Sequence, residues 1–268
     1  METYLVQPLL NGLFVFYRIF GDLGVAIILL TLVIRLVMAP LTIPSIKAQK
    51  KMMELAPEIN KLKQKFGSDK QGLAAAQMEL YKKNGANPAA GCLPQIVQLV
   101  VLIGLYQAFS KVLLQQGAAT VEKLNQMLYP ILQLPAQAHL NTSFLGIIDL
   151  TKPDVLHLAG LPTLPGVFLI LAALTQLLSS KMMMPIVKEE EKEAAQTKEK
   201  SDDLMAGMQS QMLYLFPIMT ILIGFTFPAG LVLYWFIFSL FTMIQQYLIT
   251  GLGGLTPWIN KIKTWKRN

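Results

Sequence analysis

Apolar residues along this chain come in long blocks, not at the periods of two or 3.6 that mark half-buried strands and helices. Five blocks approach the roughly 20 apolar residues that a bilayer-crossing helix needs: 20–44, 88–113, 162–184, 208–227 and 228–250. The last two are joined by "FTFPAG", a turn too short to cross anything, so they predict a helical hairpin, with Pro217 kinking its first arm. Residues 1–19 mix "LL", "LFVFY" and Arg18, as an interfacial helix does. Residues 45–87 predict a helical pair broken at "FGSDKQG", with Met52, Met53, Leu55, Ile59 and Leu62 at helical spacing. In 114–161, "YPILQLPAQ" and "FLGIIDLTKPD" predict short interfacial helices with turns. Residues 185–207 form a charged loop containing "KEEEKEAAQTKEKSDD", and 251–268 a basic tail. The expected fold class is all-α. It is a polytopic membrane protein with five transmembrane helices, a cytosolic helical hairpin and an interfacial N-terminal helix.

Basic residues orient these spans, because lysine and arginine concentrate in cytoplasmic loops. Segment 45–87 holds nine lysines: Lys47, Lys50, Lys51, Lys61, Lys63, Lys65, Lys70, Lys82 and Lys83. The 185–207 loop adds Lys188, Lys192, Lys198 and Lys200, and the tail adds Lys261, Lys263, Lys266 and Arg267. Segment 114–161 has only Lys123 and Lys152. Five spans put every lysine-rich segment on one side, which predicts the N-terminus outside and the C-terminus in the cytosol. "METYLVQPLL" shows no basic n-region, so the first span is expected to act as its own signal.

Composition narrows the chemistry. The chain is 53% hydrophobic and 15% charged, with a net charge of +7. Its basic residues lie between apolar blocks, which points to a membrane surface or a ribosome and away from sequence-specific nucleic acid. The single cysteine, Cys92, excludes an intrachain disulfide and a cysteine-built metal site. Walker, H-E-x-x-H and G-x-S-x-G patterns are absent from the sequence. His139 and His157 lack paired ligand spacing, and Asp149 and Asp154 read as loop carboxylates. No catalytic residue, cofactor or metal is expected, and the chain is not expected to be an enzyme.

Polar residues inside spans are functional candidates. Arg35 interrupts "LLTLVIRLVMAP" and shares a helix face with Thr31 and Thr42. Helix from Arg35 to Lys47 would cover roughly 18 Å, a long reach to the lysine-marked surface, although Pro40 and Pro44 could end the span sooner. Two explanations stand: an arginine stretching to headgroups, or a cation facing a shared wet cavity. Gln95, Gln98, Tyr106 and Gln107 in the second span favour a cavity, as do Thr175, Gln176, Ser179 and Ser180 in the third. The fifth span adds a stripe of Trp235, Ser239, Thr242 and Gln246, although such residues also glue helices together. The lysines and methionines of 45–87, with Glu54, Glu58 and Glu79 among them, suit a solvated hairpin or an adaptable surface that meets client chains.

"DLGVAIILLTLVIRLVMAPLT", "LAPEINKLKQKFG", "NPAAGCLPQIVQLVVLIGLYQAF", "FPAGLVLYW" and "IQQYLI" occur here in that order. Over residues 8–250 this set resembles the YidC family of membrane protein insertases. The resemblance implies a hydrophilic groove open to cytosol and lipid, in which Arg35 attracts acidic client segments. It implies groove roles for Gln176 and Trp235, with Thr31, Gln98 and Tyr234 beside them; Ser239 joins from the polar stripe. It also implies a client-receiving hairpin, for which Lys50, Met52, Met53 and Lys61 are the candidates. Expected partners are hydrophobic client membrane proteins and the lipid bilayer, with a Sec translocon and a ribosome as further ones. A small-solute transporter is the alternative use of a polar cavity, but it usually carries repeats, and none is visible.

Overall fold

A computed structural model describes residues 2–67, 69–113, 118–135, 137–138, 140–157, 163–184 and 203–265. A wide helical turn, Glu2–Val6, leads into α1 (Gln7–Phe20) and then α2 (Leu23–Glu54). Helices α3 (Ala56–Phe66), α4 (Lys70–Lys83), α5 (Pro88–Leu113) and α6 (Ala118–Asn125) follow. Then come a 3-10 turn at Pro130–Leu132 and two antiparallel pairs of short strands, β1 (Ser143–Phe144) with β2 (Ile148–Asp149) and β3 (Val155–Leu156) with β4 (Leu164–Pro165). The chain ends with α7 (Val167–Met182), α8 (Asp203–Gly224), α9 (Ala229–Thr250) and α10 (Thr256–Trp265). Most of the charged 185–207 loop, His139, Lys266 and Arg267 lie outside the described residues.

Among the described residues, α2 and α9 are long and apolar enough to cross a membrane, and shorter apolar helical stretches cover Ile96–Val112, Val167–Met182 and Tyr214–Gly224. The described residues are mostly helical, with almost no sheet.

The contacts divide the chain into two units. The first comprises Met1–Ala39, Gln95–Thr175 and Pro217–Phe241. Its core is a set of helical stripes: Val6, Leu10, Leu13 and Phe14 before and along α1, Leu23, Ala26, Ile27 and Leu30 on α2, and Leu105, Ala108, Phe109 and Val112 on α5. The α2 and α5 stripes follow the i, i+3, i+4, i+7 spacing of one helix face, and the first stripe the equivalent i, i+4, i+7, i+8. Opposite faces stay apolar but exposed, as with Val33, Leu36 and Val37 on α2. An apolar face left outside a packed core suits acyl chains, which demand no polar surface.

Helix α1 thus contributes to the core as well as carrying the amphipathic pattern that suggests an interface. One of its residues does more than pack. Asn11 is buried, its Nδ2 donates to the Gln7 and Met127 carbonyls (2.8 and 3.0 Å), and its Oδ1 accepts from the Tyr129 amide (2.6 Å). Replacing Asn11 with leucine keeps the burial but orphans the Met127 and Tyr129 backbone groups, each costing about 1–3 kcal/mol when buried. Asn11→Leu is therefore expected to lower the thermal midpoint in detergent, whereas Gly21→Ala at the left-handed end of α1 affects only that local turn.

Segment 140–166 departs from the short helices expected there. "FLGII" is a β-hairpin, because Leu145 (φ +51°) and Gly146 (φ +71°) adopt left-handed conformations that reverse the chain between β1 and β2. This segment clasps the starts of three helices. The Asp22 carboxylate caps α2 through the Val25 amide (3.0 Å) and also accepts from Leu145 (2.8 Å). Asp154 accepts from the Leu169 amide near the start of α7 (2.6 Å). The Ala229 and Gly230 amides of α9 donate to the carbonyls of Lys152 and Leu150 (2.7 and 3.0 Å). Helix starts leave amides without intrahelical partners; here the loop supplies acceptors for α7 and α9, and its Leu145 amide holds the Asp22 carboxylate that caps α2.

The second unit comprises Pro40–Pro94, Gln176–Phe216 and Thr242–Asn268. Helix α2 runs on past residue 45, to Glu54. Pro40 and Pro44 are one helical repeat apart and both exposed, so their missing amides fall on one outer face. The break comes at Leu55, where Pro57 sits in the first turn of α3, a position that needs no amide donor. Helices α3 and α4 contact each other, with Gly67 at φ +49° between them and Asp69 accepting from the Gly72 amide (2.9 Å) at the start of α4. Neither helix buries a side chain.

Candidate functional site

In the first unit, two of the polar candidates, Tyr234 and Gln98, belong to a cluster that includes Arg35. This side chain is only 5% exposed. Its guanidinium carbon lies 4.5 Å from the Phe238 ring centre and 5.0 Å from that of Phe241, both on α9. Cations favour the electron-rich ring face, most strongly away from water. Tyr234, one turn before Phe238, is buried and within electrostatic reach of Arg35. Its ring is tilted against Phe238 at 6.0 Å and edge-on to Phe109 at 6.4 Å. Its hydroxyl accepts a hydrogen bond from Gln98 Nε2 on α5 (2.7 Å).

Arg35, Phe238, Tyr234 and Gln98 therefore form one connected cluster across α2, α9 and α5. The two phenylalanines drew no attention in the sequence because their spacing matches any apolar span. Of the other candidates, Thr31 is buried and donates to the Ile27 carbonyl of its own helix (2.6 Å), which satisfies the hydroxyl locally. Trp235 is half-buried and packs edge-on against Phe227 (5.5 Å), which in turn meets Tyr106 (5.8 Å). Ser239 is half-buried on the same helix.

Gln176 belongs to the second unit, where it is half-buried on α7. That unit has its own buried polar pairs. Gln245 Nε2 donates to Thr42 Oγ1 (2.9 Å), and the Ser179 hydroxyl donates to Gln246 Oε1. Gln245 escaped the sequence-based stripe, which followed Gln246; adjacent glutamines face different neighbours, and here both are buried. The hairpin candidates separate as well. Lys50, Met52 and Met53 lie on the end of α2, with Lys50 Nζ donating to the Ile249 carbonyl (3.4 Å), and only Lys61 lies on α3. Side chains of Gln95, Cys92, Lys261 and Lys263 fall outside the description.

Among the described residues, no three His, Cys, Asp or Glu side chains gather as a metal site. Asp149 is an ordinary loop carboxylate: Thr151 hydrogen bonds, aided by Lys152, hold its pKa below the usual value. Asp154 is not ordinary, since it is buried beneath the start of α7.

The 60Kd inner membrane protein family matches residues 15–253. A membrane protein insertase YidC of Fusobacterium nucleatum is 34% identical over 87% of this chain and 89% of its own length. Membrane protein insertase YidC 2 of Listeria innocua is 33% identical over 92% of this chain and 71% of its own. Membrane protein insertase YidC of Pelobacter propionicus is 31% identical over 93% of this chain, which spans 39% of that relative's length. With this coverage and with two apolar helices long enough to cross a bilayer, the chain belongs to the 60Kd inner membrane protein family, the family of the YidC membrane protein insertases.

Proposed function

We propose that this protein is a membrane protein insertase, a non-enzymatic machine that moves client segments into the bilayer. The family match over most of the chain carries the assignment, and the relatives' shared name leaves the small-solute transporter without support. Five spans fit the apolar blocks, with α5 about 39 Å and α8 about 33 Å long at 1.5 Å per residue, against a hydrocarbon core of about 30 Å. The clasp on the starts of α2, α7 and α9 agrees with one extracytoplasmic end, and the lysines of α3 and α4 with a cytosolic hairpin.

In this scheme Arg35 and the polar residues near it form the client groove, open to cytosol and lipid. A client's apolar segment slides against the lipid-facing side while its acidic flank is drawn toward Arg35. Each apolar segment that partitions into lipid gains about 25 cal/mol per Å² removed from water. A charge at the bilayer centre costs several kcal/mol, so a buried cation on the path lowers the barrier for an anionic flank. Membrane potential assists the same step, and no nucleotide is needed. Lys50, Met52, Met53 and Lys61 receive clients at the cytosolic end, and a Sec translocon and a ribosome are further partners.

The test is reconstitution of the full chain into vesicles with a single-span client supplied from outside. Protease-protected client is expected to accumulate without ATP or GTP and to exceed that in protein-free vesicles. Equal protection in both preparations would sink the assignment.

A further inference from the structure

The loop that clasps the helix starts also presents large apolar side chains to its surroundings. Ile147 is 83% exposed, Leu145 65% and Ile131 77%, with Ile19 and Phe20 of α1 also exposed. These are not scattered residues. Arg18 donates to the Ile131 carbonyl, which ties the 3-10 turn to the end of α1. Asp22 follows that helix directly and holds the Leu145 amide. The hairpin tip is thereby pinned beside Leu23, the first residue of an apolar helix long enough to cross a membrane.

A second contact fixes its height. The Phe144 ring lies so close to Gly24 that a Cβ there would come within 2.1 Å of it. The same ring packs against Phe168, in the first turn of α7, with centroids 5.8 Å apart. The tip therefore sits level with the first turns of two apolar helices, where a spanning helix enters the bilayer. Residues 143–148, "SFLGII", carry no charged side chain; of the charges around them, Asp22 is engaged by the Leu145 amide, and Asp149 and Lys152 pair with each other at 3.1 Å. Leu145 is the only non-glycine among the described residues with positive φ, a conformation that disfavours a bulky side chain. Glycine would fit that turn more easily, yet a leucine is held there and pointed outward.

We propose that Leu145 and Ile147, with Ile131 and Phe20 beside them, insert into the headgroup–acyl boundary of the leaflet in which α2 begins. The surface acts as a depth stop, setting the height of the first span and hence of Arg35 in the membrane. Lipid is the occupant because the exposed side chains are large, apolar and uncharged and are pinned beside the first residue of the spanning helix. The proposal rests on α2 crossing the membrane, and its test separates the two.

Cys92 is the sole cysteine, so a Cys92→Ala background permits single labelling sites. Ile147→Cys, Ile131→Cys, Leu36→Cys and Gln133→Cys would each carry an environment-sensitive fluorophore in the full chain, reconstituted into phosphatidylcholine–phosphatidylglycerol vesicles. Quenchers would be aqueous iodide on both sides and doxyl lipids labelled near the headgroup or near the chain end. All four side chains are exposed, so labelling leaves the packing intact. Labels at 147 and 131 are expected to be quenched several-fold more by the shallow doxyl lipid than by iodide, the label at 36 by the deep one, and the label at 133 by iodide. Iodide quenching at 147 and 131 equal to that at 133, with 36 still quenched by lipid, would overturn the depth stop and leave the span intact. Shielding of 147 from both quenchers would overturn it in favour of a protein partner. Iodide access at 36 would remove the span and the proposal together.

Discussion

Vesicles carrying Arg35→Met are expected to insert a single-span client with an acidic N-terminal tail about tenfold more slowly than wild type, which corresponds to about 1.4 kcal/mol of barrier. Methionine is chosen because Arg35 is buried against Phe238 and Phe241. Its thioether fills much of the vacated space and keeps a favourable contact with the rings, so the loss reports charge more than packing. Arg35→Lys should keep a large share of the activity, since a lysine ammonium also sits over aromatic faces and also attracts carboxylates. Arg35→Glu should be worse than Arg35→Met, placing an anion where the client's anion must pass. A client whose tail has been neutralised provides the internal control, because its rate should differ little between wild type and Arg35→Met. Equal rates for acidic-tailed clients in wild type and Arg35→Met vesicles, at matched protein levels, would remove the arginine from the mechanism.

That experiment tests a residue visible from sequence in a setting that was not. An arginine within "LLTLVIRLVMAP" stands out because hydrocarbon offers it no hydration, whereas the rings that receive it are two phenylalanines in a helix full of apolar residues. The same limit applies to the spans. Block length identifies apolar helices, but a block that is apolar on every side cannot reveal which face is core. Leu30 and Val33 look alike in sequence; the first is buried and the second exposed. Partners of buried polar groups were equally hidden. Gln98 and Tyr234 each called for one, yet nothing in 135 intervening residues says they meet. Turn chemistry misled at "FLGII", where aliphatic residues suggested helix and the outcome was decided by two left-handed residues. At α2, two prolines suggested an early end, and exposure of both let the helix continue.

The loop carboxylate that seemed least informative holds the start of α7, and its stability effects divide by chemistry. Asp154 accepts the Leu169 amide from thirteen residues before α7 begins, and Gly166 is packed onto it. A Cβ on Gly166 would lie 2.0 Å from Asp154 Oδ1 and 2.6 Å from the Asp154 backbone carbonyl carbon. A side-chain oxygen can swing aside, but the backbone carbon can move only with the β3–β4 pair. Gly166→Ala should therefore cost about 1–3 kcal/mol in overpacking and about 1 kcal/mol more through the lost cap. Asp154→Ala should cost only the cap, about 1 kcal/mol. Asp154→Asn separates acceptor from charge, since its amide oxygen can still accept from Leu169. Burial pushes the Asp154 carboxyl above the usual aspartate pKa, outweighing the Leu169 and Phe168 amides that favour the anion. An acid with a raised folded-state pKa binds its proton more tightly when folded than when unfolded. Its ionised form therefore burdens the fold above that pKa, and the burden lifts as pH falls through it. Thermal midpoints in detergent should accordingly place Asp154→Asn at or above wild type at neutral pH, with wild type gaining on it as the medium is acidified toward the ordinary aspartate range. A midpoint for Asp154→Asn as low as that of Asp154→Ala at neutral pH would mean that the negative charge, and not the acceptor, holds the start of α7.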